Sequence, residues 1–158
     1  MKNDISAIGN ALVDTVFKVE QSFIAELGLE IDQMTLSSAE EHAPIIERLI
    51  ASGADTVSDC GGSATNSLVA AASFGAKCFH VCKVSEDQDG LRYLKSLKEA
   101  GVNHKGNTAL ADSVPTGKCL ILVTPDAKRT MTTALNVSSL MDESCLLYTS
   151  DAADECDS

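Results

Sequence analysis

The chain has 158 residues, 44% of them hydrophobic and 4% aromatic, with a formal charge of -11. Such acidity argues against nucleic acid as a partner, because phosphate contacts need a basic face, although a single nucleotide needs only a local pocket. No run approaches the ~20 apolar residues of a membrane span and Met1 to Asn10 lacks the apolar core of a signal peptide, so a cytoplasmic protein with no membrane contact is expected.

The opening segment "DISAIGNALVDTVFKV" is rich in β-branched residues around a Gly-Asn interruption and predicts two short strands or one bent strand. In "SSAEEHAPIIERLIASG", Ser37 and Glu40 have the spacing of a capping box. Ile45, Ile46, Leu49 and Ile50 then recur at helical intervals before Gly53. Pro44 is expected within the first turns of that helix or ahead of it.

A short strand near Asp55 to Ser58 is expected to lead into the glycine pair Gly61-Gly62, and a small-residue helix to run from Ser63 to about Gly75. "AKCFHVCKV" predicts a strand buried on both faces, as in a parallel sheet. "DQDGLRYLKSLKEAGV" predicts an amphipathic helix with Leu91, Leu94 and Leu97 inward and Gly101 as its stop. "GKCLILVTPDAKRTMTTAL" predicts a hairpin turning at "PDAK". Strands alternating with such helices imply an α/β fold.

The six cysteines are not densely spaced and none forms Cys-x-x-Cys, so buried reduced thiols are expected. Cys78, His80 and Cys82 would share one strand face, but at about 6.6 Å per residue pair the two thiols stand ~13 Å apart, too far to bind one zinc. "PTGKC" lacks the glycine and the Ser or Thr of a Walker loop, and "CGGSATN" is not the Gly-x-Gly-x-x-Gly of a dinucleotide site. No metal site is expected.

Four segments together resemble a family. "GNALVD" (9–14), "GGSATNSLVAAASFG" (61–75), "DQDGLRYLKSLKEAGV" (87–102) and "TGKCLILVTPDAKRTM" (116–131) are similar, in order, to the first half of ribokinase-type (PfkB) carbohydrate kinases. Within that family they are most similar to adenosine-kinase-like members, since Ser63 follows the glycine pair and "GNALVD" resembles a nucleoside-kinase Gly-Asn-x-x-x-Asp. The resemblance implies a three-layer α/β fold with a small β lid built from residues 12–19 and 117–135, and an N-terminal half-domain over 1–143. It also implies ATP-dependent phosphorylation, with Mg2+, of a primary hydroxyl on a nucleoside or sugar, in a reaction of the purine-salvage or sugar-kinase type. Association of two copies through the lid strands is a further expectation.

By the same resemblance Asn10, Asp14, Gly61, Gly62 and Asn66 bind the sugar, and Arg129 lies near the substrate. The chemistry agrees: a carboxylate accepts from two adjacent hydroxyls, an amide donates and accepts, and glycines bring backbone N–H groups close. Read without the resemblance, Asp14 also suits an exposed strand edge, the glycine pair a turn, Asn66 a solvated helix turn and Arg129 a surface charge. The family's catalytic aspartate belongs to a Gly-Ala-Gly-Asp segment, and no Gly-x-Gly-Asp occurs here, so no catalytic residue is assigned and the chain alone is expected to be inactive. The stretch 144–158, with four acids and no base, breaks the preceding pattern and is expected to be a non-native tail.

Overall fold

The computed structural model describes residues 3–54, 56–104, 107–109, 114–143 and Cys145, with only the backbone path for 107–109. Apart from Cys145, the expected non-native segment 144–158 lies outside the described residues, as does Asp55.

The opening segment forms two strands, β1 (Ile5–Ile8) and β2 (Leu12–Lys18), separated by Gly9 to Ala11. They enter different sheets. After α1 (Gln21–Glu26) and β3 (Met34–Leu36) comes α2 (Ala39–Ala51), followed by β4 (Thr56–Gly61) and α3 (Ser63–Ser73). The chain continues through β5 (Cys78–Val81), β6 (Lys83–Ser85), α4 (Gln88–Glu99), β7 (Val102–His104) and β8 (Asn107–Ala109). The hairpin of β9 (Gly117–Val123) and β10 (Arg129–Ala134) closes it, before a 3-10 turn at Asn136–Leu140.

A parallel sheet, β1-β5-β7, carries α3 and α4. Its core joins Leu68, Cys78, Cys82, Val84, Tyr93, Leu97 and Val102. A five-stranded mixed sheet, in the order β3-β10-β9-β2-β4, has its own core of Phe17, Ile24, Leu49, Leu120 and Leu122 beneath α1 and α2. The short pair β6-β8 forms the third sheet among the described residues. This is a mixed α/β architecture with parallel and mixed sheets flanked by helices, as the alternation of elements implies.

Four local readings are refined. The capping box of α2 uses Ser38 and Glu41, one residue later than the spacing suggests, because the Ser37 hydroxyl instead bonds Thr132 Oγ1 at 2.7 Å. Pro44 sits in the second turn of that helix. The "AKCFHVCKV" strand breaks at Cys82, so β5 and β6 join different sheets and Cys82 does not extend the face of Cys78 and His80. In α4 Gly90, Tyr93 and Leu97 are buried and Leu94 packs half-buried against the same core as expected, while Leu91 is 64% exposed. Gly90 sets that rotation: a Cβ there would fall 2.0 Å from the Ser85 carbonyl oxygen, so this face must press against the β6 end and Leu91 turns outward.

Candidate functional site

The mixed and parallel sheets meet at a seam where β1 passes into β2 and β4 passes into α3, beside the start of β9. Gly117 begins β9 where a Cβ would lie 2.6 Å from the Ala11 carbonyl oxygen and 2.9 Å from that of Leu135. In register, Leu12 stands between Gly61 on β4 and Gly117 on β9. Two residues up β2, Asp14 stands between Asp59 and Cys119. Because strand neighbours in register share a face, Asp14, Asp59, Cys119 and, across β10, Thr133, Met131 and Arg129 all belong to the face opposite α1 and α2.

The Asp14 side chain leans diagonally onto Gly61. A Cβ on that glycine would overlap it, at 2.1 Å from Cγ, 2.1 Å from Oδ1 and 2.2 Å from Oδ2. Gly62 next turns the chain with φ +100°, its missing Cβ position 2.4 Å from the Asn10 carbonyl oxygen. From this turn α3 starts, with Gly62 as N-cap, and the Asn66 N–H donates to the Gly62 carbonyl at 3.0 Å. Gly9 completes the packing, since a Cβ there would lie 2.6 Å from Ala64 Cβ.

Electrostatics at this seam centre on Asp14. Burial pushes its carboxyl above the ordinary value; the Arg129 guanidinium pulls it down and the facing Asp59 pushes it up again. Arg129 therefore acts across the sheet face, although its side chain has no hydrogen-bonding or ion-pair partner among the described residues. Its backbone N–H donates to Asp32 Oδ1 at 3.1 Å. Cys119 and Cys60 flank the site as free thiols, both with pKa raised, burial being the largest cause.

The structure thus gathers Asn10, Asp14, Gly61, Gly62 and Asn66 around one turn and brings the charge of Arg129 to bear on it. Asn66 and Arg129 are exposed, Asn10 and Asp14 half-buried and Gly61 buried. Asp59 carries no signal in the sequence, since its position opposite Asp14 follows only from the β2-β4 register. His80, expected above only to fail as a metal ligand, is by contrast legible, because a histidine in an apolar strand is itself a signal of buried polar partners.

A second polar hub anchors the base of the sheet. Asp87, the N-cap of α4, accepts from the Gly90 N–H at 2.7 Å, the Thr116 N–H at 2.8 Å and the Thr116 hydroxyl at 2.7 Å. Thr116, fully buried, also accepts the Ser85 N–H at 3.0 Å and, through its carbonyl, the Asn136 side-chain amide at 3.1 Å. One residue into β9, Lys118 pairs with Asp89 of α4 at 2.7 Å.

The family model described as pfkB family carbohydrate kinase matches residues 6–157. No curated protein matches the chain. Among solved structures, the adenosine kinase from Sinorhizobium meliloti is 29% identical with a TM-score of 0.78, covering 87% of this chain and 41% of its own. A probable sugar kinase from Rhizobium etli CFN 42 is 26% identical with a TM-score of 0.80, covering 88% and 41%. Anopheles gambiae adenosine kinase, in complex with P1,P4-di(adenosine-5) tetraphosphate, is 23% identical with a TM-score of 0.77, covering 89% and 42%, and shows the shared fold. The chain spans about two fifths of the length of these structures.

Proposed function

Because this chain belongs to the pfkB family of carbohydrate kinases, we propose that it carries the acceptor-binding half of an ATP-dependent kinase that phosphorylates a primary hydroxyl of a nucleoside, adenosine-like, or of a sugar. The observation that carries this reading is the Asp14 carboxylate lying against Gly61 on the face of the mixed sheet opposite α1 and α2, beside the Gly62 turn. Asp14 accepts from two adjacent sugar hydroxyls; Asn10 and Asn66 supply further polar contacts, and the glycines let the sugar approach the backbone. Arg129 adds a positive charge at the edge of that site. The mixed sheet is the lid, β4 and β9 turning out of the seam at Gly61 and Gly117, and its strands also offer the surface for a dimer.

ATP and Mg2+ do not fit the described residues around this turn. The glycine turn beside Asp14 and Asp59 is acidic rather than phosphate-holding, and among the described residues no group of three His, Cys, Asp or Glu side chains could hold a metal ion. ATP and Mg2+ are therefore assigned to the whole kinase, and this chain by itself binds the acceptor without transferring phosphate. The test is equilibrium dialysis of adenosine against the chain and its Asp14→Asn variant, with an ATP-turnover assay alongside. Binding that is lost in Asp14→Asn, without turnover, is expected. Equal binding by both proteins, or ATP turnover by the chain above a no-enzyme control, contradicts the reading.

A further inference from the structure

Beneath the glycine turn lies a closed group of three buried polar side chains that substrate contact does not use. Thr65 Oγ1 stands 2.5 Å from Tyr93 Oη and 3.0 Å from His80 Nε2, and Tyr93 Oη is 3.2 Å from the same nitrogen. All three residues are 0% exposed. His80 Nδ1 is 3.3 Å from the Ala7 carbonyl oxygen. A carbonyl only accepts, so Nδ1 carries the hydrogen and, in the neutral ring, Nε2 is an acceptor. Burial lowers the His80 pKa, which keeps the ring neutral. The direction at His80 follows: Nδ1–H donates to the Ala7 carbonyl of β1, Nε2 accepts from one of the two hydroxyls, Thr65 or Tyr93, and the other hydroxyl donates within the Thr65–Tyr93 pair.

These bonds join four elements that meet at the candidate site: α4 through Tyr93, α3 through Thr65, β5 through His80 and β1 through Ala7. Thr65 and His80 are close to proposed contact residues. Thr65 is next to Asn66, and its Oγ1 is 3.5 Å from where a Cβ on Gly62 would sit. His80 Cε1 is 3.8 Å from the corresponding point on Gly9, the neighbour of Asn10. Within the group Thr65 alone belongs to α3, and no side chain caps that helix at Gly62.

We propose that Thr65, His80 and Tyr93 are positioning residues, with Thr65 as the pin that fixes the Gly61-Gly62 turn and the first turn of α3 against the parallel sheet so that Asn10 and Asn66 address the same sugar. The part concerning sugar rests on the acceptor-binding reading above; the part concerning the turn does not.

The experiment separates the two. Amide hydrogen exchange is followed by NMR in the 158-residue chain and in Thr65→Val, Thr65→Ser and Tyr93→Phe, and adenosine affinity is measured for each and for Asp14→Asn. Thr65→Val is expected to speed exchange of the Asn66 amide about tenfold, the scale of one buried hydrogen bond, while Leu120 and Leu122 amides keep their rates. Thr65→Ser restores the wild-type rate. Tyr93→Phe, which keeps the Thr65 to His80 bond, gives a smaller rise and serves if Thr65→Val does not fold. Adenosine affinity falls in parallel, again by about tenfold in Thr65→Val. Unchanged exchange at Asn66, or an equal rise at every amide, overturns the positioning role. Failure of the wild-type chain to bind adenosine, or undiminished binding by Asp14→Asn, overturns the acceptor reading and the sugar-directed part, with exchange still deciding the role at the turn.

Discussion

The Asp14 carboxylate occupies the space that any side chain at residue 61 would need: a Cβ on Gly61 would fall 2.1 Å from Asp14 Cγ. Gly61→Ala is therefore expected to push Asp14 off its position with little effect on the backbone, since this glycine does not hold a positive φ. Adenosine affinity should drop at least tenfold while the urea midpoint moves slightly. Gly62→Ala differs in kind. At φ +100°, with the Asn10 carbonyl oxygen 2.4 Å from the new Cβ, it should destabilise the fold by roughly 1–3 kcal/mol, read from the same urea titrations.

Ionised Asp14 is the form that accepts hydroxyl hydrogens, and burial has raised its pKa. Affinity should accordingly fall on acidification at a pH above that of an ordinary aspartate. The stability effect has the opposite sign. A raised folded-state pKa gives a contribution present below the unfolded value of 3.8 and lost as pH rises through the folded value, so Asp14→Asn should be slightly more stable than wild type at neutral pH. Measuring affinity and urea midpoints from pH 4 to 8 checks both; an unshifted affinity profile, or a variant less stable at pH 7, would sink the assignment.

His42, His80 and His104 all have lowered pKa values, burial being the largest cause in each. The unfolded chain then binds protons first as pH falls below 6.5, so stability is fully present above that value and declines towards the folded-state values. Urea midpoints at pH 7.5 and 5.5 should show the lower pH to be less stable. Replacing His80 by Gln should reduce that difference.

Asp87→Ala leaves the N–H groups of Thr116 and Gly90 without their carboxylate and removes the N-cap of α4. A loss of about 2–3 kcal/mol is expected. The Asp87 carboxyl is pushed up by burial, but the Thr116 and Gly90 donors and the Lys118 charge outweigh this and hold it low. Its contribution is thus present above the ordinary aspartate value and lost as pH falls through the folded one. By contrast Lys95→Ala, which removes the exposed Lys95–Glu99 pair, should stay within about 0.5 kcal/mol.

Local signals carried much of this architecture. β-branched runs located β1, β2 and the β9-β10 hairpin, and glycines at 53, 75 and 101, each with positive φ, follow the three longer helices. What stayed hidden depended on partners distant in sequence. Ser38 took the capping role because the Ser37 hydroxyl engaged Thr132, and Leu91 faced outward because Gly90 met Ser85. The motif residues of the candidate site were legible as a group, yet Asp59 required strand register, and the Thr65–His80–Tyr93 group required three elements to converge on one buried point.

The most direct test of the acceptor-binding assignment is chemical-shift mapping with adenosine on the isotope-labelled 158-residue chain. The account predicts that the amides of Asn10, Asp14, Gly61, Gly62 and Asn66 shift together along one saturable curve, and that the curve is lost in Asp14→Asn. Saturable shifts clustered elsewhere, or none at these five residues at millimolar adenosine, would contradict it.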